Sequence, residues 1–385
     1  MLAFTMHNHV TRRDLFGQFL GGIIAGASVL EAGYLRAAWA RSQRPAGGAR
    51  LFDIQKVADG VYFGQAHAQV LTNCNAAIFV NSKEVIVVDA HSKPSAAASL
   101  VGQIRKEVTS KPVRYLVNTH FHWDHTQGDA AYRAASSKVE IIASDATKQL
   151  LEQNARNRLK DSVDGVPQII DALKVRLAKA STPRERESYQ EQIRQAQAYL
   201  DEMKSFTPEL PDITFAKSYE VKDSAFDLHV EFHGRAHTAG DVAVFCPQRR
   251  AVASGDAIIG WVPNIADGYP RDWPRTIDSI AELAPERILP GHGPLQPNRE
   301  RMTQMRNYIE ELTGLVENGK KAGKPLSELK TTITPASVKS LSANGYGAYM
   351  TDNLNRFSVY VGSRTPFEDR FTGNIEAIYN NLDKA

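Results

Sequence analysis

The sequence predicts an α/β fold of stacked layers, and three features predict it. Val85-Ile86-Val87-Val88 is an apolar run without alternation, which suits a strand covered on both faces. Ala96 to Val108 follows with helical spacing and puts Leu100, Ile104 and Val108 on one face. Val113 to Val117 is the next strand, and it runs directly into a histidine-rich loop. Strand, helix, then a strand with polar chemistry at its carboxyl end is a layered α/β order.

The amino-terminal segment stands apart from this pattern. Arg12 and Arg13 precede an uncharged apolar stretch, Leu15 to Leu30, and Ala38-Trp39-Ala40 supplies small residues in an A-x-A arrangement. The stretch has 16 residues, short of the ~20 that span a bilayer as a helix. A charged start, a short apolar middle and a small-residue end describe an export signal, and the adjacent arginines resemble the twin-arginine type. The expectation is cleavage after Ala40, use of the export machinery, and a periplasmic or secreted protein. Arg41 to Arg50, with Gly and Pro, reads as a linker.

From Leu51 onward short strands dominate, among them Gly60 to Phe63 and Ala76 to Val80. Residues 146–206 differ, being strongly charged and helical in period. Ile169, Leu173 and Leu177 form one stripe; Tyr189, Ile193, Ala196 and Leu200 form another, with Pro183 between. A helical hairpin packed on the domain is expected here, with a substrate lid or an oligomer contact as alternatives. Strands resume at Phe226 to Phe232, Val242 to Phe245 and Ala251 to Ala253. Helices are expected at Arg275 to Leu283 and at about 298–321 and 367–382.

Composition narrows the function classes. The 385 residues are 42% hydrophobic and 23% charged, which excludes collagen-like, coiled-coil and disordered chains. A net charge of +3, from 46 basic and 43 acidic residues, makes no electrostatic case for nucleic acid, so a small-molecule substrate is expected. Cys74 and Cys246 are too few for a disulfide scaffold and read as buried apolar-type residues.

The chemistry concentrates in Thr119-His120-Phe121-His122-Trp123-Asp124-His125, three histidines and a carboxylate within six residues of a strand end. Residues two apart in extended chain point the same way, so His120 and His122 can reach one ion, while Asp124 and His125 can face a second. Imidazole and carboxylate suit zinc and related divalent metals. Downstream, His237 precedes a strand, Asp256 ends one, and His292 lies between glycines that permit close approach.

In this order Asp89, His120-x-His122-x-Asp124-His125, His237, Asp256 and His292 resemble the metallo-β-lactamase superfamily, over roughly 89–292. The resemblance implies an αββα four-layer sandwich with the metal site at one edge. Residues 51–297 would form the catalytic domain, with a helical insertion at about 146–206, and 298–385 would be a C-terminal helical extension packed on it. It implies His120, His122 and His237 as ligands of one metal, Asp124, His125 and His292 as ligands of a second, Asp256 bridging both, and Asp89 orienting the loop. The implied cofactor is Zn2+, two per chain, with iron or manganese as alternatives. The implied activity is hydrolysis, a hydroxide held between two zinc ions attacking an ester, thioester, lactone or lactam carbonyl, or a phosphate or sulfate ester. Asp124 is the expected catalytic residue, orienting the nucleophile and passing a proton.

Family variants narrow this further. His122 stands where the flavo-diiron oxidoreductases carry glutamate. Aspartate at 256 is similar to the thioesterases, lactonases, sulfatases and phosphodiesterases, whereas dedicated β-lactamases carry cysteine or serine there. Two alternatives come from other classes: a mononuclear iron, persulfide dioxygenase-like oxidoreductase, and a metal-binding protein without turnover. Among nearby residues, Trp123, Trp261, Asn264, Tyr269, Arg271 and Trp273 are expected to pack loops, with substrate contact as the alternative. His91 is the better candidate for a supporting role, and His229 and His233 read as structural.

Overall fold

The computed structural model describes residues 50–67, 74–136, 138–204, 206–357 and 366–384. The export segment lies outside them. Strands β1 (Phe52–Ala58), β2 (Val61–Ala66), β3 (Ala76–Val80) and β4 (Val85–Val88) form an antiparallel meander. Helix α1 (Pro94–Glu107) crosses to β5 (Val113–Val117), parallel to β4. Two short helices, α2 (Trp123–Thr126) and α3 (Asp129–Ala135), lead to β6 (Glu140–Ser144). A long hairpin, α4 (Asp145–Lys179) and α5 (Pro183–Met203), precedes β7 (Ile213–Phe215), which closes a seven-stranded sheet in chain order.

The second sheet runs β8 (Ser218–Val221), β9 (Leu228–Glu231), β10 (Ala243–Cys246), β11 (Ala251–Gly255) and, after α6 (Trp273–Glu282), β12 (Arg287–Pro290) parallel to β11. Alternation along the strands assigns each face. Ile86, Val88, Val244 and Cys246 fill the space between the sheets. Val85 and Val87 face Leu100 and Ile104 of α1, while Ala243 and Phe245 face Ile277 and Ile280 of α6. The result is helix, sheet, sheet, helix. The apolar run at β4 therefore has the two-sided burial expected of it.

The hairpin begins on Ser144, whose side chain accepts from the Thr147 backbone, and its second helix begins on a Thr182–Glu185 capping box. Pro183 occupies the first turn of α5, where its missing N–H costs nothing. The hairpin core is Val166, Ile170, Ala196, Tyr199 and Met203; the expected Leu177 and Leu200 are only half-buried, and Tyr199 is the buried aromatic. At the C-terminus, α7 (Glu300–Lys321), α8 (Leu326–Thr332), α9 (Lys339–Ser342), α10 (Tyr346–Phe357) and α11 (Pro366–Asn381) share one apolar core with α6 and the outer face of the second sheet. Among the described residues no helix is long and apolar enough to cross a membrane. Cys74 and Cys246 are free and buried.

Candidate metal centre

The carboxyl ends of β4, β5, β11 and β12 deliver the polar residues to one edge of the sandwich. His120 and His122 lie between β5 and α2, and Asp124 and His125 lie in α2. His237 precedes β10, Asp256 directly follows β11, and His292 comes two residues after β12. All seven side chains named from the sequence meet there.

They meet in two groups. His122 Nδ1 lies 3.2 Å from His120 Nε2 and 2.9 Å from His237 Nε2. His292 Nε2 lies 3.3 Å from His125 Nε2 and 3.1 Å from Asp124 Oδ2. Two nitrogens at 2.0–2.1 Å from one tetrahedral zinc would stand about 3.3–3.4 Å apart, close to these spacings. Asp256 sits between the groups. Its carboxylate is 3.5 Å from His237 Nε2 on one side and 3.5 Å from His125 Nε2 and His292 Nε2 on the other. Asp256 Oδ1 is buried without a hydrogen-bond partner. A buried, unpaired carboxylate oxygen among converging imidazoles is a donor set for cations, and the residues fit divalent metal binding.

The other ring nitrogens are held from behind. His125 Nδ1 donates to Asp89 Oδ2 at 2.8 Å, His237 Nδ1 to the Asn264 carbonyl at 2.9 Å, and His122 Nε2 to Asp267 Oδ2 at 3.0 Å. Thr119 Oγ1 donates to Asp89 and accepts from His120 Nδ1 at 3.0 Å. Each bond assigns the tautomer that leaves the inward nitrogen with its lone pair. His292 is held by stacking on Trp261, with ring centroids 4.8 Å apart.

Electrostatics agree with this geometry. Burial, reinforced by the neighbouring imidazoles, keeps His120 and His237 well below the ordinary histidine pKa, so both are neutral donors. Burial opposes charge on His125, yet the acidic groups around it (Cys74, Asp89, Asp256 and Asp124) raise its pKa well above the usual range. A place that favours a proton this strongly favours a metal cation for the same reason. Burial also opposes ionisation of Asp124, but His125 and His292 outweigh it and keep the group a carboxylate.

Cys74, Asp89 and His125 also converge. Burial pushes the Cys74 thiol up to about 12, and Asp89 already holds His125 Nδ1, so this trio lacks the thiolate and the free lone pair of a metal site. His91 is buried against the Cys74 carbonyl at 2.8 Å, behind the centre. Trp273 anchors its own loop by donating to the Ala257 carbonyl, and Arg271 faces Leu382 and Glu317. Tyr269 lies under Arg235 and Lys384. His233 bonds Ser279.

Asp267 and Arg158 have no precedent in the sequence reading. Asp267 Oδ2 accepts from both His122 and Arg158 Nη2, the latter at 2.6 Å, across 145 and 109 positions. No local spacing encodes such a contact. Gly291 explains the glycine before His292: an added Cβ would lie 2.4 Å from Asp256 Oδ1 and 2.9 Å from His125 Cε1. Gly291→Ala is therefore expected to lower metal content and activity together. Gly314→Ala, at a helical site with open space, should keep both and gain about 0.5–1 kcal/mol in urea unfolding.

A family model described as the metallo-beta-lactamase superfamily matches residues 70–292. Among solved structures, a metallo-beta-lactamase from Pontibacter korlensis is similar at 18% identity and TM-score 0.50, covering 67% of this chain and 99% of that one. The metallo-beta-lactamase FIM-1 from Pseudomonas aeruginosa, in its mono-zinc form, is similar at 19% identity and TM-score 0.48, with coverage of 67% and 95%. A metallo-beta-lactamase from Hirschia baltica is similar at 17% identity and TM-score 0.48, with coverage of 67% and 97%. At these identities the likeness concerns the fold.

Proposed function

The chain belongs to the metallo-beta-lactamase superfamily, and on that premise we propose that it is a metal-dependent hydrolase working with two divalent ions, zinc foremost. The observation that carries this is Asp256, a buried carboxylate within 3.5 Å of imidazoles from both groups. His120, His122 and His237 would hold one ion, and Asp124, His125 and His292 the other, with Asp256 shared. Bound there, such ions bring the pKa of a water towards neutrality and polarise an electrophilic oxygen.

The chain's own residues do the rest. Asp89, Thr119, Asn264 and Asp267 fix the tautomers of His125, His120, His237 and His122, so these four rings need not reorient during turnover. Asp124 is the ligand candidate with the most exposed side chain, at 14%, against 11% for His122 and 8% or less for the others given. It is the one of these most open to solvent, and its carboxylate would orient a water, accept the proton that water loses and pass it to the leaving group. Carbonyl esters, thioesters, lactones and lactams, together with phosphate and sulfate esters, form the substrate panel. β-Lactams belong on it because the structural neighbours bear that name.

Metal analysis alongside that panel tests the reading. Two zinc per chain and hydrolysis of a panel member support it. One iron per chain with oxygen consumption would replace it with the dioxygenase-like alternative. Loaded metal without any turnover would favour the binding-protein alternative. We also propose export by the twin-arginine route. Replacing Arg12 and Arg13 together with lysine should abolish periplasmic accumulation, and normal accumulation would sink the assignment.

A further inference from the structure

We propose that the α4–α5 hairpin is a positioning element of the metal centre, acting through Arg158 and Asp267 on His122. The inference rests on the reading of His122 as a metal ligand. One carboxylate oxygen of Asp267 accepts from His122 Nε2 at 3.0 Å and from Arg158 Nη2 at 2.6 Å. Arg158 belongs to α4, and its guanidinium also lies over the Phe121 ring, 4.4 Å from the centroid. The hairpin thus reaches His122 through the Asp267 carboxylate and contacts the residue before it by stacking.

The other anchors of the Asp267 loop come from the C-terminal end of the described chain. Asn381 of α11 donates to the carbonyls of Ala266 and Gly268, and Lys384 donates to the carbonyl of Asp267. The backbone of this loop is pinned by the C-terminal helix, which leaves the aim of the carboxylate to Arg158. A second grip lies beyond α2. Tyr199 of α5, buried in the hairpin core, donates to Gln127 Oε1 at 3.1 Å and lies 3.1 Å from Ser162 Oγ of α4. The segment from Phe121 to Gln127, which holds His122, Asp124 and His125, is therefore clamped at both ends by one hairpin. A hairpin serving only as surface packing would have no need of an ion pair to a group that hydrogen-bonds His122.

The test measures cobalt binding to the full chain by competition with a chelator and by d–d absorption, with zinc competition as a check. Wild type should bind cobalt with a tetrahedral-type spectrum. Asp267→Ala should weaken one ion by about 10–100-fold, the usual effect of losing a partner behind a ligand. Arg158→Gln should weaken the same ion by about 10-fold and alter its bands, and Arg158→Lys should recover part of the loss. The double variant should lose clearly less than the two single losses combined, because Arg158 acts chiefly through Asp267 and only its stacking on Phe121 is independent of it. Lys174→Gln, an exposed site on the same hairpin, should match wild type. Wild-type affinity and spectrum in Arg158→Gln, or additive losses in the double variant, would overturn the inference. A wild-type chain that binds neither cobalt nor zinc would instead overturn the metallohydrolase reading, and this inference with it.

Discussion

Asp256→Ala is expected to lose one bound ion and to lower kcat/KM by more than the ~10–100-fold typical of a residue behind the ligands. The reason is its position. Its two oxygens approach His125 on one atom and His237 and His292 on the other, each at 3.5 Å. Alanine would remove the carboxylate that contacts imidazoles of both groups. Gly291 lies against Oδ1 and contributes no side chain, while Asp124 approaches His292 and His125 of the second group and has no ion-pair contact with His237 of the first. Metal content and rate should fall together. An Asp256→Ala protein with unchanged metal and unchanged turnover would refute the shared role.

The second large effect concerns Asp89. Its carboxylate accepts from the Thr119 backbone at 2.9 Å, from Thr119 Oγ1, and from His125 Nδ1 at 2.8 Å, in a fully buried place. Its backbone has φ of +69°, in the left-handed region that aspartate and asparagine tolerate better than most residues. Asp89→Ala would strand the Thr119 and His125 donors, and a cost of about 3–5 kcal/mol in denaturant unfolding is expected. Asp89→Asn should behave differently. It keeps the shape and the φ preference, and its Oδ1 can still accept from Thr119. Its amide would then face His125 as a donor, forcing the tautomer whose proton points into the centre. That variant should stay folded while losing metal affinity by about 10–100-fold. Equal metal affinity in Asp89→Asn and wild type would show that the His125 tautomer is not set by Asp89.

Legibility in the sequence followed how local each signal is. β3, β4 and β5 have the boundaries expected from their runs: β3 and β4 are apolar throughout and almost wholly buried, and β5 keeps an apolar residue at each end around the half-buried Arg114 and Tyr115. The histidines and carboxylates were legible because four of the seven fall within six residues, Asp256 and His292 follow strand ends, and His237 stands in the stretch before a strand. β7 and β8 were not, since they have three and four residues and are half exposed. α8 and α9, of seven and four residues, are too short to display a period. The pairing of Arg158 with Asp267 was invisible for another reason. It joins an insertion to a loop 109 positions away, and only the folded sandwich brings them to the same histidine. Likewise the expected stripe of the hairpin passed over Tyr199, which packs in the hairpin core while its hydroxyl finds a partner in Gln127 outside the hairpin.

The most direct test of the central claim is the zinc stoichiometry of the full-length chain, titrated to saturation and measured by mass spectrometry. Two tightly held zinc ions per chain, both removed only by strong chelation, are predicted. A chain that saturates with no zinc, or that takes a single ion with no second equivalent, would contradict the paired centre around Asp256.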